Sequence, residues 1–149
     1  MFISVEDRDV SVSDSNICSG FFATLNGIDF PSADWDDIST SVLTMWGQKV
    51  LGQIPGERGG FKLYFMDGPY YLLCDRRGDE VVVQGVDAHH PQRLQVIASQ
   101  TFPWTELAKS ISCAISRMEY IAQQHAVTPF DFSALQNIRS GLDKIWKHK

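Results

Sequence analysis

Apolar and polar positions alternate through the middle of the chain, a pattern typical of β-strands. Phe61, Leu63 and Phe65 fall on one face of an extended segment, with polar or amphipathic residues between them. Two turn signals, Asp67-Gly68 and Arg76–Asp79, separate this segment from two more apolar runs. This stretch is therefore predicted to form a three-stranded antiparallel meander, and the apolar residues on both of its faces indicate that both faces are partly covered.

Shorter alternating segments predict further strands on either side of the meander. They lie at residues 2–12, 17–26 and 94–99, and Asn26-Gly27 is a turn signal that favours positive φ. Together with the meander, these segments predict about five or six strands.

Apolar residues change to helical spacing in three other segments. The pattern predicts helices at 35–51, 104–124 and 129–147. Asp34, Asp36 and Asp37 gather near the start of the first helix, where the helix dipole favours acids. The next residues, Ser-Thr-Ser-Val, have poor helix propensity, so a strand start is the alternative there.

The order of these elements is typical of the α+β class. We predict a single domain over residues 1–149, with one antiparallel sheet of about five or six strands and three helices packed mainly on one face. A chain of this length can bury most of its apolar surface in one core.

Charge is distributed unevenly along the chain. The net charge is −5, but residues 1–40 contain eight acids and one base, which is −7, while residues 41–149 contain ten acids and twelve bases, which is +2. An acidic N-terminal portion disfavours direct nucleic-acid binding, because phosphate contacts need cations. Two interpretations remain open: the acids contact a basic protein partner, or they only aid solubility.

The residue types that could carry chemistry do not form a motif. His89-His90 are adjacent and point apart, whereas zinc needs three or four converging ligands. Cys18, Cys74 and Cys113 are widely spaced, and the last two are interpreted as small core residues without a neighbouring base. We therefore expect no enzyme activity, no metal and no cofactor.

The opening of the chain and its apolar runs bear on location. Its first ten residues contain acids, which is not typical of a signal peptide. No apolar run approaches the roughly 20 residues that a membrane-spanning helix needs. We expect a cytoplasmic protein without membrane contact.

Tyrosines of the meander are a second candidate for binding. Tyr70 and Tyr71 are successive, so one of them points to each face of the sheet, and one is expected to share a face with Tyr64. Tyrosine is enriched at protein interfaces but is also an ordinary strand residue.

An ordered set of motifs resembles the immunity proteins of bacterial polymorphic toxin systems, including contact-dependent growth inhibition. The set consists of Pro31, the Trp35-Asp36-Asp37 triplet, Trp46, Leu63–Tyr71 and Pro103-Trp104. The resemblance implies a cytoplasmic protein that binds a cognate toxin domain, often a nuclease, and neutralises it by forming a stoichiometric complex. A nuclease toxin is basic where it meets nucleic acid, which agrees with an acidic partner.

Two protein-binding functions are predicted, one leading and one alternative. The leading prediction is an immunity protein that binds a basic toxin domain through acids, and the alternative is an adaptor or chaperone-like module that binds through the exposed face of the meander. The predicted contact residues are Asp34, Asp36 and Asp37, with Glu6, Asp7, Asp9 and Asp14 in support, and Tyr64 and Tyr71 for the alternative.

Overall fold

The structure is a computed structural model that describes residues 1–12, 16–54, 59–125 and 131–147. These residues form two antiparallel sheets of four strands each and three helices. In chain order the elements are β1 (Phe2–Val12), β2 (Ile17–Leu25), β3 (Ile28–Phe30), β4 (Asp36–Asp37), α1 (Ser39–Leu51), β5 (Gly59–Tyr64), β6 (Tyr70–Arg77), β7 (Glu80–Asp87), β8 (Gln95–Pro103), α2 (Trp104–His125) and α3 (Ser133–Lys147).

The first sheet is built around β2. One of its edges pairs with β1, and the other edge pairs in succession with β3, near Leu25, and with β4, near Gly20. Between these two short strands the Phe21 amide donates to the Trp35 carbonyl at 2.9 Å. The segment before α1 therefore continues the hydrogen bonding of the sheet.

The second sheet is a simple meander in the order β5-β6-β7-β8. Its inner face contributes Phe61, Leu63, Leu72 and Val83 to the main core. A register shift at the end of β7 marks a bulge in β8. The bulge affects which β8 side chains reach the outer face.

The helices cover the inner sides of both sheets. α1 contacts β2 and β5, while α2 contacts β1, β7 and β8. α3 packs against the other two helices. Its apolar stripe of Leu135, Ile138 and Leu142 is buried in that contact, which explains the helical spacing of these residues.

Aromatic rings join the two sheets at the centre of the core. Phe65 makes edge-on contacts with Phe21, Phe30 and Trp46, with ring centroids 5.2 to 6.1 Å apart. Phe30 also lies against Gly85 so closely that a Cβ there would be 2.8 Å from the Phe30 ring. Gly85 is therefore required for the close approach of the sheets.

The α+β class is confirmed, with differences in the number and arrangement of strands. The described part of the chain forms eight strands in two sheets, where five or six strands in one sheet were predicted. α2 agrees with its predicted bounds to within one residue.

Two helix starts differ from the predicted ones. α1 begins at Ser39 because the residues from Trp35 to Asp37 bond to β2 and are extended. α3 begins at Ser133, whose amide donates to the Asp131 carboxylate at 2.9 Å. The predicted start at residue 129 lies outside the described residues.

Candidate protein-binding surfaces

Arg8 binds the acidic segment that precedes α1. Its guanidinium donates to the carboxylate of Asp36 and to the carbonyls of Ala33 and Trp35, the last two at 3.0 and 2.9 Å. Burial raises the pKa of Asp36, the neighbouring Asp9 raises it further, and the positive charge of Arg8 opposes both effects. The Asp36 carboxylate is thus engaged by Arg8, which reduces what it offers to a partner although the side chain is 44% exposed.

Asp37 is placed inside the protein, with only 3% of its surface exposed. Its carboxylate accepts hydrogen bonds from the Trp35 indole at 3.0 Å, from the Ile38 amide at 2.8 Å and from the Met66 amide at 3.1 Å. Asp37 therefore offers little surface for the predicted partner contact, because its oxygens hold the α1 start against the β5–β6 loop.

The remaining predicted acids lie in different local environments. Asp34 is exposed, and a hydrogen bond from Ser32 lowers its pKa. Asp7 pairs with His125 of α2, and Asp9 is exposed beside Arg8. Glu6 is half-buried in β1, and Asp14 lies outside the described residues.

A row of four side chains crosses the outer face of the second sheet. Tyr64 of β5 is opposite Tyr71 of β6, Tyr71 is opposite Val86 of β7, and Val86 is opposite Val96 of β8. The bulge adds Ile97 next to Val96. We call these five residues the outer apolar row.

The middle of the outer apolar row is buried, whereas its ends are exposed. Tyr71 is 7% exposed and Val86 is buried, whereas Tyr64, Val96 and Ile97 are 49%, 53% and 42% exposed. Tyr71 and Val86 are not part of the main core. The row is therefore a surface with a packed centre and apolar ends that face solvent, as found at protein interfaces.

Tyr71 is largely buried within this surface. The rings of Tyr64 and Tyr71 lie 5.6 Å apart, and the Lys62 ammonium lies 4.8 Å from the centre of the Tyr71 ring. The predicted partner contact of Tyr71 would be small, since its neighbours leave it 7% exposed. Tyr64 remains available.

His89, Cys74 and Cys113 lie in separate parts of the structure. His89 bonds to Asp87 at 2.6 Å, which together with the backbone bond from His89 lowers the pKa of Asp87. Cys74 is buried, and burial raises the pKa of its thiol. Cys113 is exposed on α2, so its interpretation as a core residue is wrong.

Among the described residues, no group of three His, Cys, Asp or Glu side chains is arranged to hold a metal ion. The described helices include none with the length and apolar character needed to cross a membrane.

The β8 end of the outer apolar row was not predicted from the sequence. Strict alternation assigns Val96 and Ile97 to opposite faces, but the bulge leaves both exposed. Two successive β-branched residues in a strand at the edge of the sheet were the available signal. The partner of the bulge, Val86, is set by long-range pairing and could not be read locally.

Comparison of the chain with protein-family models, curated proteins and solved structures found no match.

Proposed function

We propose that this protein acts by binding a partner protein in a stoichiometric complex, without catalysis, through the outer apolar row. The observation that carries the proposal is the exposure of Tyr64, Val96 and Ile97 around a packed centre. Aromatic and aliphatic anchors next to charged residues are the usual contact groups of protein interfaces.

The proposed biological role is that of a cytoplasmic immunity protein that neutralises a cognate toxin domain. It rests on the resemblance of the motifs, and the geometry supports a particular choice of surface. Asp36 and Asp37 are engaged by Arg8, Trp35 and Met66, so the acids near α1 have fewer free oxygens than their number suggests. The outer apolar row is therefore the leading contact surface, and Asp34 and Asp9 serve as outlying charges.

Site-specific photo-crosslinking in cells of the source organism tests the binding surface. A photoreactive amino acid at Ile97 should give one discrete adduct with a partner, since this side chain is exposed at the end of the row. The same amino acid at Gln136, which is exposed on α3, should not give it. Equal adducts from both positions, or none from Ile97, would contradict the assignment of the surface.

Growth assays test the role. Expression of the cross-linked partner domain alone should stop growth, and co-expression of this protein should restore it. The double variant Val96→Asp, Ile97→Asp should lose protection, because two charges would be buried without partners at the interface. If the partner domain does not affect growth, the immunity role is wrong and the proposed binding function still stands.

A further inference from the structure

Strand β5 is an edge of the second sheet, since among the described strands it pairs with β6 alone. The Phe65 amide donates to the Tyr70 carbonyl at 3.1 Å, so the main chain of Phe65 points toward β6. In antiparallel pairing this direction alternates with every residue, and the register of β5 with β6 is regular. The amides and carbonyls of Lys62 and Tyr64 therefore point away from the sheet.

Trp46 of α1 confirms this direction and closes one end of the edge. Its indole nitrogen donates to the Tyr64 carbonyl at 2.8 Å. The Tyr64 carbonyl therefore has one hydrogen-bond donor on the side away from β6. The carbonyl and amide of Lys62, two residues earlier, point to the same side.

A groove runs between this edge and α1. Its volume is about 330 Å³, and Met45, Gln48 and Lys49 line one wall while Lys62 and Tyr64 line the other. Its width brings side chains of a helix and main-chain groups of a strand to the same space. This is the arrangement that strand addition by an extended peptide uses.

The groove is basic although the protein is acidic as a whole. Lys49 and Lys62 are both exposed, and neither makes an ion pair with any of the residues that the structure describes. The described residues that line the groove include no acid. Lys62 is also held in place over the ring of Tyr71. Exposed cations without an ion-pair partner among the described residues complement carboxylates.

The opposite edge of the sheet, strand β8, is partly covered. Asn26, in the turn between β2 and β3, donates through its side chain to the Ser99 carbonyl of β8 at 2.7 Å, and its amide donates to the Gln100 side chain at 3.1 Å. The β8 edge is thus covered in part by the first sheet. The β5 edge, in contrast, faces the groove beside α1.

From these observations we propose that β5 binds an extended, acidic segment of a partner polypeptide as an added antiparallel or parallel strand, with Lys49 and Lys62 contacting its carboxylates. The inference rests on the proposed protein-binding function and names the chemistry of the partner at one end of the same surface. Tyr64 belongs both to the groove and to the outer apolar row, so one partner can contact both.

Fluorescence anisotropy with a synthetic peptide tests the proposal. The probe is a fluorescein-labelled peptide of about eight residues in which glutamate and valine alternate, since a strand places alternate side chains on one face. It should bind the wild-type protein, and a peptide with lysine in place of glutamate should not. Methylation of alternate peptide amides should abolish binding in one register only, because only those amides meet β5.

Two variants of Lys62 separate main-chain pairing from charge. Lys62→Pro removes the outward amide, and an edge strand tolerates proline there. It should weaken binding roughly tenfold or more. Lys62→Gln keeps the amide and loses the charge, so binding should weaken only about twofold to fivefold. Lys144→Gln, on α3, is the matched control and should bind as wild type does. Circular dichroism checks that each variant is folded.

Several outcomes would overturn the inference. They are a wild-type protein that does not bind the acidic peptide, equal binding of the lysine peptide, and unchanged binding by Lys62→Pro. In the first case, self-association of a Lys49→Gln, Lys62→Gln variant would show that the lysines only keep edges of separate copies apart.

The Val96→Asp, Ile97→Asp variant distinguishes this inference from the proposed function. It leaves β5 intact and should bind the peptide as wild type does, while losing the partner. If peptide binding fails but the adduct at Ile97 forms, the strand-addition proposal is wrong and the binding function stands. If the peptide binds but no adduct forms at Ile97, the outer apolar row is the wrong surface.

Discussion

At the scale of single residues, Asp37 shows how one carboxylate determines local structure. It accepts hydrogen bonds from two donors near it in sequence, Trp35 and Ile38, and from Met66 in the β5–β6 loop. Buried hydrogen bonds to a charged group are stronger than neutral ones, and a donor left without its acceptor costs more than the bond gains. Asp37 therefore stabilises the folded state.

We expect Asp37→Asn to lower the free energy of unfolding by about 2–3 kcal/mol, since an amide offers one acceptor oxygen and puts an NH2 group among donors. Chemical denaturation measures the change. The control is Asp67→Asn, the same replacement at an exposed position of the neighbouring loop, which should leave the midpoint unchanged. Equal effects of the two variants would contradict the role of Asp37.

At the scale of elements, α1 and α3 approach each other closely at two glycines. A Cβ at Gly47 of α1 would lie 2.2 Å from the Cγ2 atom of Ile138. A Cβ at Gly141 of α3 would lie 3.0 Å from the end of the Leu51 side chain. Ile138 is β-branched and buried, whereas Leu51 is exposed and can move. The two contacts should therefore respond differently to the same substitution.

Gly47→Ala should lower the free energy of unfolding by about 1–3 kcal/mol, because the added methyl group overpacks the contact with Ile138. Gly141→Ala should raise it by up to about 1 kcal/mol, since alanine favours a helix over glycine and Leu51 can yield. Thermal and denaturant unfolding of both variants check this. In the double variant Gly47→Ala, Ile138→Ala, the cost of the two changes should be less than additive.

The accuracy of the sequence predictions depends on how local the determining interactions are. α2 is set by spacing within the helix itself, and its bounds agree to within one residue. The start of α1 is not set within the helix. Trp35 and Asp36 are extended because they are hydrogen-bonded to β2 in the first sheet. The burial of Asp37 depends on Met66, which is 29 residues away in sequence. The outer apolar row depends on a bulge that only strand pairing defines.

At the scale of the whole molecule, the helices form a layer whose outermost member is α3. Asp143 of α3 accepts a hydrogen bond from the buried Ser112 of α2 and bonds to Trp146 and Lys147 of its own helix. Burial alone raises the pKa of Asp143, but these hydrogen bonds outweigh it and leave the pKa below the ordinary 3.8. The carboxylate therefore favours the folded state when it is ionised.

The contribution of Asp143 should be lost in acid. A pKa that is lower in the folded than in the unfolded state stabilises the fold above the unfolded value of 3.8, and this stabilisation disappears as the pH falls through the folded value. We expect wild type to be more stable than Asp143→Asn at pH 7 and pH 5, with the difference closing below pH 3.8. Thermal melts at each pH measure it. A difference that is constant with pH would contradict the assignment, and Ser112→Ala should show a smaller pH-dependent part.

The bond between Asp37 and Met66 also has a consequence for the order in which the protein is synthesised. A ribosome completes β1 to β4 before it makes the loop that holds Met66. The nascent first sheet can pair its strands, but the Asp37 carboxylate then has donors only from its own segment. Its dehydration must wait until β5 has emerged. The hydrogen bonding of the first sheet at Asp37 is therefore completed by a residue that is made after that sheet.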